Sequence, residues 1–304
     1  MSCQFPVSCA YFSRNLTDNP SAIRSAAAKP CSAGRRPLHC APCQSIKPIP
    51  RAMSEQSLTR LNKFISDTGY CSRREADALI AAGKVSVNDQ IAGMGVKVAA
   101  TDRVLVEGKP LKAKPQRVYI AYHKPVGITC TTERKVAGNI VDALKYPERI
   151  FPIGRLDKPS EGLIFLTNDG DIVNKILRAG NAHEKEYVVT VNKPITEQFI
   201  KRMSQGVPIL DTVTLPCKVR QVSRNTFNII LTQGLNRQIR RMAEFLGYEV
   251  VKLKRTRIMH VRLAELKTGQ WRLLDKYEIA ELEQLLQDSS KTPLPHTKTD
   301  DFDE

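Results

Sequence analysis

The sequence predicts an α+β protein in which a small N-terminal domain precedes a larger one. Its 304 residues are 41 % hydrophobic, which suffices for one or two domains with buried cores. Two short helical patterns followed by short strand patterns occupy residues 57–113. Short apolar runs bounded by turn residues alternate with helical patterns over residues 117–287. Such a mixture in two separate stretches is typical of an α+β architecture.

The charge balance indicates a polyanionic partner. The chain has 47 Lys and Arg residues against 31 Asp and Glu residues, a net charge of +16. A strongly basic balance favours binding to nucleic acid. No stretch approaches the roughly 18 consecutive apolar residues of a membrane-spanning helix, so we expect no membrane partner. We also expect the protein to act as a monomer.

The cysteines do not suggest a disulfide framework. Five of the eight lie in the first 43 residues, and Cys71, Cys130 and Cys217 are far apart. This usage fits a reducing compartment. The residues Cys31, His39, Cys40 and Cys43 lack a second pair at zinc-knuckle spacing, so the sequence predicts no metal site.

Residues 1–52 differ in composition from the rest. They contain seven basic residues against one acidic residue, Asp18, and show no sustained periodicity. One interpretation is an organelle transit peptide, which would place the protein in a stroma or matrix. The other is an upstream extension before Met53, and the protein is then cytoplasmic. We favour the second because prolines and cysteines interrupt any amphipathic helix, and we predict a disordered segment. The tail, residues 288–304, is predicted to be flexible.

The small domain begins with two predicted helices. The first follows from apolar residues at helical spacing and can end at Gly69: Leu58, Leu61, Phe64 and Ile65. Ser72 and Glu75 have the spacing of a capping box for the second helix, which can end at Gly83. Strand and turn patterns follow at residues 84–89 and 102–108.

The larger domain is organised around residues 150–171. Leu163 to Leu166 form a continuous apolar run, as expected for a strand covered on both faces. A polar loop precedes it, bracketed by Gly154 and Gly162 and stiffened by Pro159. A rigid loop of charged groups between buried strands is a common position for functional residues. The remaining strands of this domain are predicted at 118–122, 184–191, 219–222, 227–231 and 250–253, with a turn and strand over 264–274. Helices are predicted at 140–144, 171–178, 194–203 and 275–287, and the stretch from Gln233 turns into a helix that ends at Gly247.

The central string resembles the central motif of the RNA pseudouridine synthases: Gly154-Arg155-Leu156-Asp157, then Ser160-x-Gly162-Leu-Ile-Phe-Leu-Thr-Asn-x-Gly170. The resemblance is to the branch that modifies bacterial ribosomal RNA and carries an S4-type domain in front. Three strings of the small domain resemble that S4 domain: Leu61-x-Lys63, Ser72-Arg-Arg-Glu-Ala-Asp77 and Gly83-x-Val85-x-Val87-Asn88. Three later strings are similar to the large-subunit enzymes of the family: Leu177 to Tyr187, Gln233 to Met242 and Lys254 to Met259. Together they cover about residues 55 to 285, and Pro159-Ser160-Glu161 departs from the polar residues common in the family.

The resemblance implies an S4-like RNA-binding domain over residues 57–113, followed by a synthase catalytic domain over residues 117–287. The catalytic domain is expected to be built on a mixed, largely antiparallel sheet. The S4 domain would neutralise phosphates without choosing the base. Its expected RNA-binding residues are Arg60, Lys63, Arg73, Arg74 and Lys84. A solvated basic helix face is the alternative for these residues.

The resemblance also implies the reaction. A uridine of 23S ribosomal RNA would leave its stack, lose its C–N glycosidic bond, rotate, and be rejoined through carbon, without cofactor or metal. Asp157 would be the catalytic carboxylate, either as nucleophile or as base. Arg240 would be its basic partner. Tyr187 would stack on the uracil and is a candidate for removing the proton from carbon 5.

Further cations are expected at the RNA. Arg155 could fill the gap left by the flipped base. The other expected RNA-binding residues are Arg237, Arg241 and Arg255. A phosphate track would also include Lys252, Lys254 and Arg257 if their strand borders the cleft, and a solvated surface is the alternative for Lys252 and Lys254. Ribosomal RNA is the expected partner, with small-subunit RNA or transfer RNA left open as substrates. Two other classes stay open. One is a non-catalytic RNA-binding assembly factor, against which the complete set of Asp157, Tyr187 and Arg240 argues. The other is an RNA hydrolase, which more usually has a metal-binding carboxylate cluster or a His pair.

Overall fold

The computed structural model describes residues 58–177 and 182–287. The predicted leader and tail lie outside these ranges, as does Arg178, the last residue of one predicted helix. None of the helices in the described ranges combines the length and apolar character that a membrane crossing requires.

Residues 58–111 form the small N-terminal part of the described chain, with helices and short strands. Its helices are α1 (Leu61–Asp67) and α2 (Arg73–Ala81). Its strands are β1 (Thr59–Arg60), β2 (Val85–Val87), β3 (Gln90–Ile91), β4 (Lys97–Val98), β5 (Val104–Val106) and β6 (Lys109–Pro110). Strand β1 pairs with β4, and the others form a sheet of order β3-β2-β5-β6. Apolar residues from both helices and from the strands make one core between them.

The start of α2 confirms the predicted capping box. The Ser72 hydroxyl accepts a hydrogen bond from the Glu75 backbone N–H at 3.1 Å, and the Glu75 carboxylate accepts one from the Ser72 N–H at 2.7 Å. Two of the N–H groups that a helix start leaves without partners are thereby satisfied. Local sequence alone therefore decided where this helix begins.

The larger part of the chain is built on one mixed sheet. Its helices are α3 (Ile140–Leu144), α4 (Gly170–Leu177), α5 (Glu197–Gln205), α6 (Gln238–Phe245) and α7 (Lys276–Leu285). Its strands are β7 (Tyr119–Lys124), β8 (Phe151–Ile153), β9 (Glu161–Thr167), β10 (Lys185–Val191), β11 (Pro208–Ile209), β12 (Thr212–Val213), β13 (Lys218–Ser223), β14 (Thr226–Leu231), β15 (Val250–Ile258), β16 (Val261–Arg262) and β17 (Trp271–Leu273).

The strand order confirms a mixed, largely antiparallel sheet. Within the described residues the order is β13-β14-β10-β15-β9-β7-β17, with β8 beside β9 and β16 beside β15. Strands β9 and β15 run parallel, and the other neighbouring pairs are antiparallel. Strands β11 and β12 form a separate hairpin that the sequence analysis did not predict.

Strand β9 lies at the centre of the fold and is buried on both faces. Leu163 and Phe165 point into one apolar cluster, whereas Ile164 and Leu166 point into another on the opposite face. The prediction that the continuous apolar run forms a strand covered on both faces is therefore confirmed. The loop that joins β8 to β9 is fixed at both ends by this buried strand pair, and it carries the candidate site.

Candidate active site

Asp157 lies in the loop between β8 and β9, in a turn closed by the Ser160 N–H, which donates to the Asp157 carbonyl at 3.0 Å. Leu156 is buried beside it and anchors the loop. The Leu156 N–H donates to the sulfur of buried Cys130 at 3.4 Å. The Asp157 side chain keeps 33 % of its surface exposed. The carboxylate is thus held on a fixed loop and stays accessible.

Two arginines approach the same oxygen of Asp157. Nε of Arg240, on α6, is 3.6 Å from Oδ2, and Nη1 of Arg237 is 3.8 Å from it. The Arg240 side chain is only 13 % exposed, against 47 % for Arg237. Solvent screens a buried charge less than an exposed one, so Arg240 is the stronger electrostatic partner.

The guanidinium of Arg240 is held by three acceptors. Nη1 donates to the Val250 carbonyl at 3.1 Å, and Nη2 donates to the Pro159 carbonyl at 3.3 Å and to the Ser160 hydroxyl at 3.1 Å. Its Nε is buried and makes no hydrogen bond in the described part of the chain. Burial lowers the pKa of the Arg240 guanidinium, and the Asp157 charge opposes that shift.

Tyr187 reaches the same cleft from the sheet. It lies on β10 opposite Ile229 on one side and Arg255 on the other, and it is 9 % exposed. An irregularity between Glu186 and Tyr187 shifts the pairing with β15. The cleft has a volume of about 90 Å³ and is bordered by Arg155, Asp157, Tyr187, Arg237 and Arg240. The structure therefore brings five of the predicted site residues together.

Arg241 lies next to Arg240 on α6 and has a different environment. Its Nε donates to the Asn236 carbonyl at 3.2 Å, and its Nη2 donates to the Asn236 side chain at 3.3 Å. These bonds hold the loop that precedes the helix. The residue does not border the cleft.

The structure corrects the prediction that Arg255 binds RNA phosphates. Arg255 is 4 % exposed, and its Nε donates to the Leu163 carbonyl at 2.6 Å. Its guanidinium carbon lies 6.0 Å from the centre of the Tyr187 ring. Arg255 pairs directly with Tyr187, so the two side chains lie on the same face of the sheet, and Arg255 is covered by protein there instead of being exposed to RNA.

Lys252 and Lys254, which the conditional phosphate track along β15 included, lie away from the cleft. Lys254 pairs with Val188 and Lys252 pairs with Thr190, so both lie on the face of the sheet opposite to Tyr187. Arg257 is occupied by two carboxylates, Glu184 at 2.9 Å and Glu186 at 2.8 Å. Strand β15 therefore presents no row of phosphate-binding cations to the cleft.

Among the cations of the small N-terminal part, Arg60, Arg73 and Arg74 are exposed. Lys84 is exposed as well and bonds to Glu107 at 2.8 Å. Lys63 is instead engaged in two ion pairs, with Asp67 at 2.7 Å and with Asp171 at 3.1 Å. The second pair links α1 to α4, so Lys63 holds two parts of the chain together.

Sequence reasoning gave no role to two buried lysines. Lys124 is 0 % exposed, and its Nζ donates to the Pro125 and Ser160 carbonyls, each at 2.8 Å. Desolvation lowers its pKa. Lys185 is 7 % exposed and donates to the His183 carbonyl at 3.2 Å. Burial, with repulsion from Arg255, lowers the pKa of Lys185 to about 8. The sequence signal that could have identified both residues is a lysine at the end of an apolar strand, where burial of the amine is expected.

The described residues contain no group of three or more His, Cys, Asp or Glu side chains placed to hold a metal ion.

Two family models match the chain. The model described as RNA pseudouridylate synthase matches residues 118–245, and the S4 domain model matches residues 59–104. The first covers the cleft loop, Tyr187 and Arg240. The second covers α1, α2 and the strands up to the start of β5.

Several curated proteins are similar over most of the chain. Two are named dual-specificity RNA pseudouridine synthase RluF, from Salmonella typhi and Escherichia coli K12. Each is 55 % identical over 248 residues, which are 81 % of this chain and 86 % of the relative. The ribosomal large subunit pseudouridine synthase B of Bacillus subtilis is 36 % identical over 237 residues, which are 75 % of this chain and 97 % of the relative. A crystal structure of a pseudouridylate synthase aligns with a TM-score of 0.55 at 29 % identity, covering 74 % of this chain and 99 % of that one.

Proposed function

This chain belongs to the RNA pseudouridine synthase family, and we propose that it converts a specific uridine of 23S ribosomal RNA to pseudouridine with Asp157 as catalytic carboxylate. Its activity as an RNA pseudouridine synthase and its S4 domain follow from relatives 55 % identical over most of the chain and from the two family models. The non-catalytic factor and the RNA hydrolase left open by the sequence are thereby set aside.

One observation carries the assignment of the residues. Asp157, Tyr187 and Arg240 come from a loop, a strand and a helix that are distant in sequence, yet all three border one cleft. The largely covered guanidinium of Arg240 lies 3.6 Å from the carboxylate, so two opposite charges face each other in the cleft. An ionised carboxylate can act on the ribose either as nucleophile or as base.

The reaction balances within the substrate. The C1′–N1 bond breaks, a C1′–C5 bond forms, and the proton leaves carbon 5 while N1 gains one. No net oxidation or reduction occurs, so we propose that neither a cofactor nor a metal takes part. Flipping the uridine costs a few kcal/mol, and stacking on an aromatic ring such as Tyr187 returns roughly 1–3 kcal/mol.

The proposed substrate is the RNA of the large subunit. In support, one relative is named for the ribosomal large subunit, and the net charge of +16 favours a long polyanion. The exposed Arg60 and Arg73 of the S4 domain can reach phosphates. Because two relatives are named dual-specificity enzymes, we include transfer RNA as a second candidate substrate.

Pseudouridine-specific chemical mapping of ribosomal and transfer RNA tests the proposal. Cells without the gene should lack pseudouridine at one large-subunit position. The wild-type gene should restore it, and Asp157→Asn should not, although that variant should fold and bind RNA. Glu244→Gln serves as the control, because it removes one exposed carboxylate from α6 outside the cleft.

Each result decides a different part of the proposal. Restoration by Asp157→Asn would remove Asp157 from the mechanism. A change confined to transfer RNA or to small-subunit RNA would replace the proposed substrate and leave the reaction in place.

A further inference from the structure

Ser160 occupies a junction inside the cleft loop. It is 1 % exposed. Its N–H donates to the Asp157 carbonyl at 3.0 Å, and its hydroxyl accepts from Nη2 of Arg240 at 3.1 Å. Its carbonyl accepts from Nζ of Lys124 at 2.8 Å. One buried serine thus contacts the turn that carries the carboxylate, the cation that faces it, and a buried lysine beneath.

The Arg240 guanidinium is hydrogen-bonded at both of its terminal nitrogens. This group is planar, with its five N–H donors in fixed directions. Nη1 is fixed by the Val250 carbonyl and Nη2 by the Ser160 hydroxyl, while the bond from Nη2 to the Pro159 carbonyl is longer at 3.3 Å. With both ends held, the buried Nε faces Asp157 and has no hydrogen-bond acceptor among the described residues.

The position of Ser160 is itself fixed from below. Lys124 is fully buried, and it donates both to Ser160 and to the neighbouring Pro125 carbonyl. Ser160 is therefore held by its main chain on one side while its hydroxyl points to Arg240 on the other. A guanidinium that turned away would leave this buried hydroxyl without its arginine partner, which is costly.

We infer that Ser160 is a positioning residue: its hydroxyl holds the guanidinium of Arg240 in the plane that presents Nε to Asp157. The inference rests on the proposed role of Asp157, because Ser160 would act only by keeping the Arg240 cation oriented towards that carboxylate. A displacement of about 1 Å in an aligned site can cost about 100-fold in rate. Loss of the hydroxyl should therefore lower turnover more than it lowers RNA affinity.

Steady-state kinetics of the full chain test this, with 23S ribosomal RNA and transfer RNA from cells lacking the gene as substrates. Ser160→Ala should reduce kcat about 10- to 100-fold and change KM less than about twofold. Ser160→Thr, which keeps the hydroxyl, should stay within about fivefold of the wild-type kcat. Thr214→Val is the matched control, because it removes a buried hydroxyl that bonds only a backbone N–H outside the cleft. Its kcat should equal that of the wild type.

A double-mutant cycle isolates the route through Arg240. In an Arg240→Gln background, Ser160→Ala should cause no further loss, because the group that it positions is absent. A wild-type kcat for Ser160→Ala would overturn the inference, and so would losses that multiply in the double variant. Thermal unfolding of each variant separates these results from loss of the fold. Failure of Asp157→Asn to abolish activity would instead count against the proposed function, so the two failures are distinguishable.

Discussion

Gly162 lies so close to Arg255 that a Cβ atom at this position would overlap the backbone of Arg255. The two residues face each other in the parallel pair of β9 and β15, and Gly162 has φ +120°. A side chain would push the strands apart. This contact keeps the end of the cleft loop next to the strand that pairs with Tyr187.

We therefore expect Gly162→Ala to destabilise the protein by about 2–4 kcal/mol, because alanine at this positive φ also strains the backbone. Urea unfolding measures the change. Gly93→Ala is the control, since nothing lies within 4 Å of its added Cβ and its φ is not positive. Its stability should change by less than about 0.5 kcal/mol. Equal effects of the two substitutions would contradict the close approach.

The two arginines Arg237 and Arg255 should respond differently to salt. Arg237 is half-exposed at the cleft, whereas Arg255 is buried. Each lost phosphate contact reduces the slope of log affinity against log salt by about 0.7 on single-stranded nucleic acid. Arg237→Gln should show that reduction in RNA-binding titrations, and Arg255→Met should leave the slope unchanged. A reduced slope for Arg255→Met would restore it as a phosphate-binding residue.

Lys185 should make stability depend on pH in the alkaline range. Its folded-state pKa of about 8 lies below the ordinary value of 10.5, so between these values the unfolded chain binds more protons than the folded one. Stability from this residue therefore rises as pH increases from about 8 to 10.5, and the buried charge costs roughly 3 kcal/mol at pH 7.

Lys185→Met removes that charge and should stabilise the fold by roughly 2 kcal/mol at pH 7, with the difference from wild type shrinking towards pH 10. Urea unfolding at pH 7.0, 8.5 and 9.5 gives the comparison. Lys254→Met, a partly exposed lysine of the sheet, is the control and should show no such trend. A constant difference across these pH values would mean that the Lys185 amine is not desolvated.

The ion pair between Lys63 and Asp171 should couple α1 to α4. Its side chains are 23 % and 40 % exposed, and pairs of this exposure contribute about 0.2–1 kcal/mol. A double-mutant cycle with Lys63→Met and Asp171→Asn should give a coupling in this range that falls in high salt. Zero coupling at low salt would show that the contact does not stabilise the arrangement.

Some features were decided by local sequence. The start of α2 depends on Ser72 and Glu75, whose contact spans three residues, and the double burial of β9 depends on an unbroken apolar run. The family resemblance named Asp157, Tyr187 and Arg240 because each lies within a continuous motif. The structure then placed the three in one cleft.

Other features required the tertiary structure. Arg255, Lys254 and Lys252 form one basic run in the sequence, yet the first is buried and the other two lie on the opposite face from the cleft. Side chains alternate along a strand, so a shift of one residue, such as the irregularity beside Glu186, reverses every assignment that follows it. The role of Ser160 depends in the same way on a partner 80 residues away. The sequence by itself determined most of the helices and strands and the residues that carry the motifs, because these depend on local patterns. Strand pairing and long-range packing decided where each side chain points.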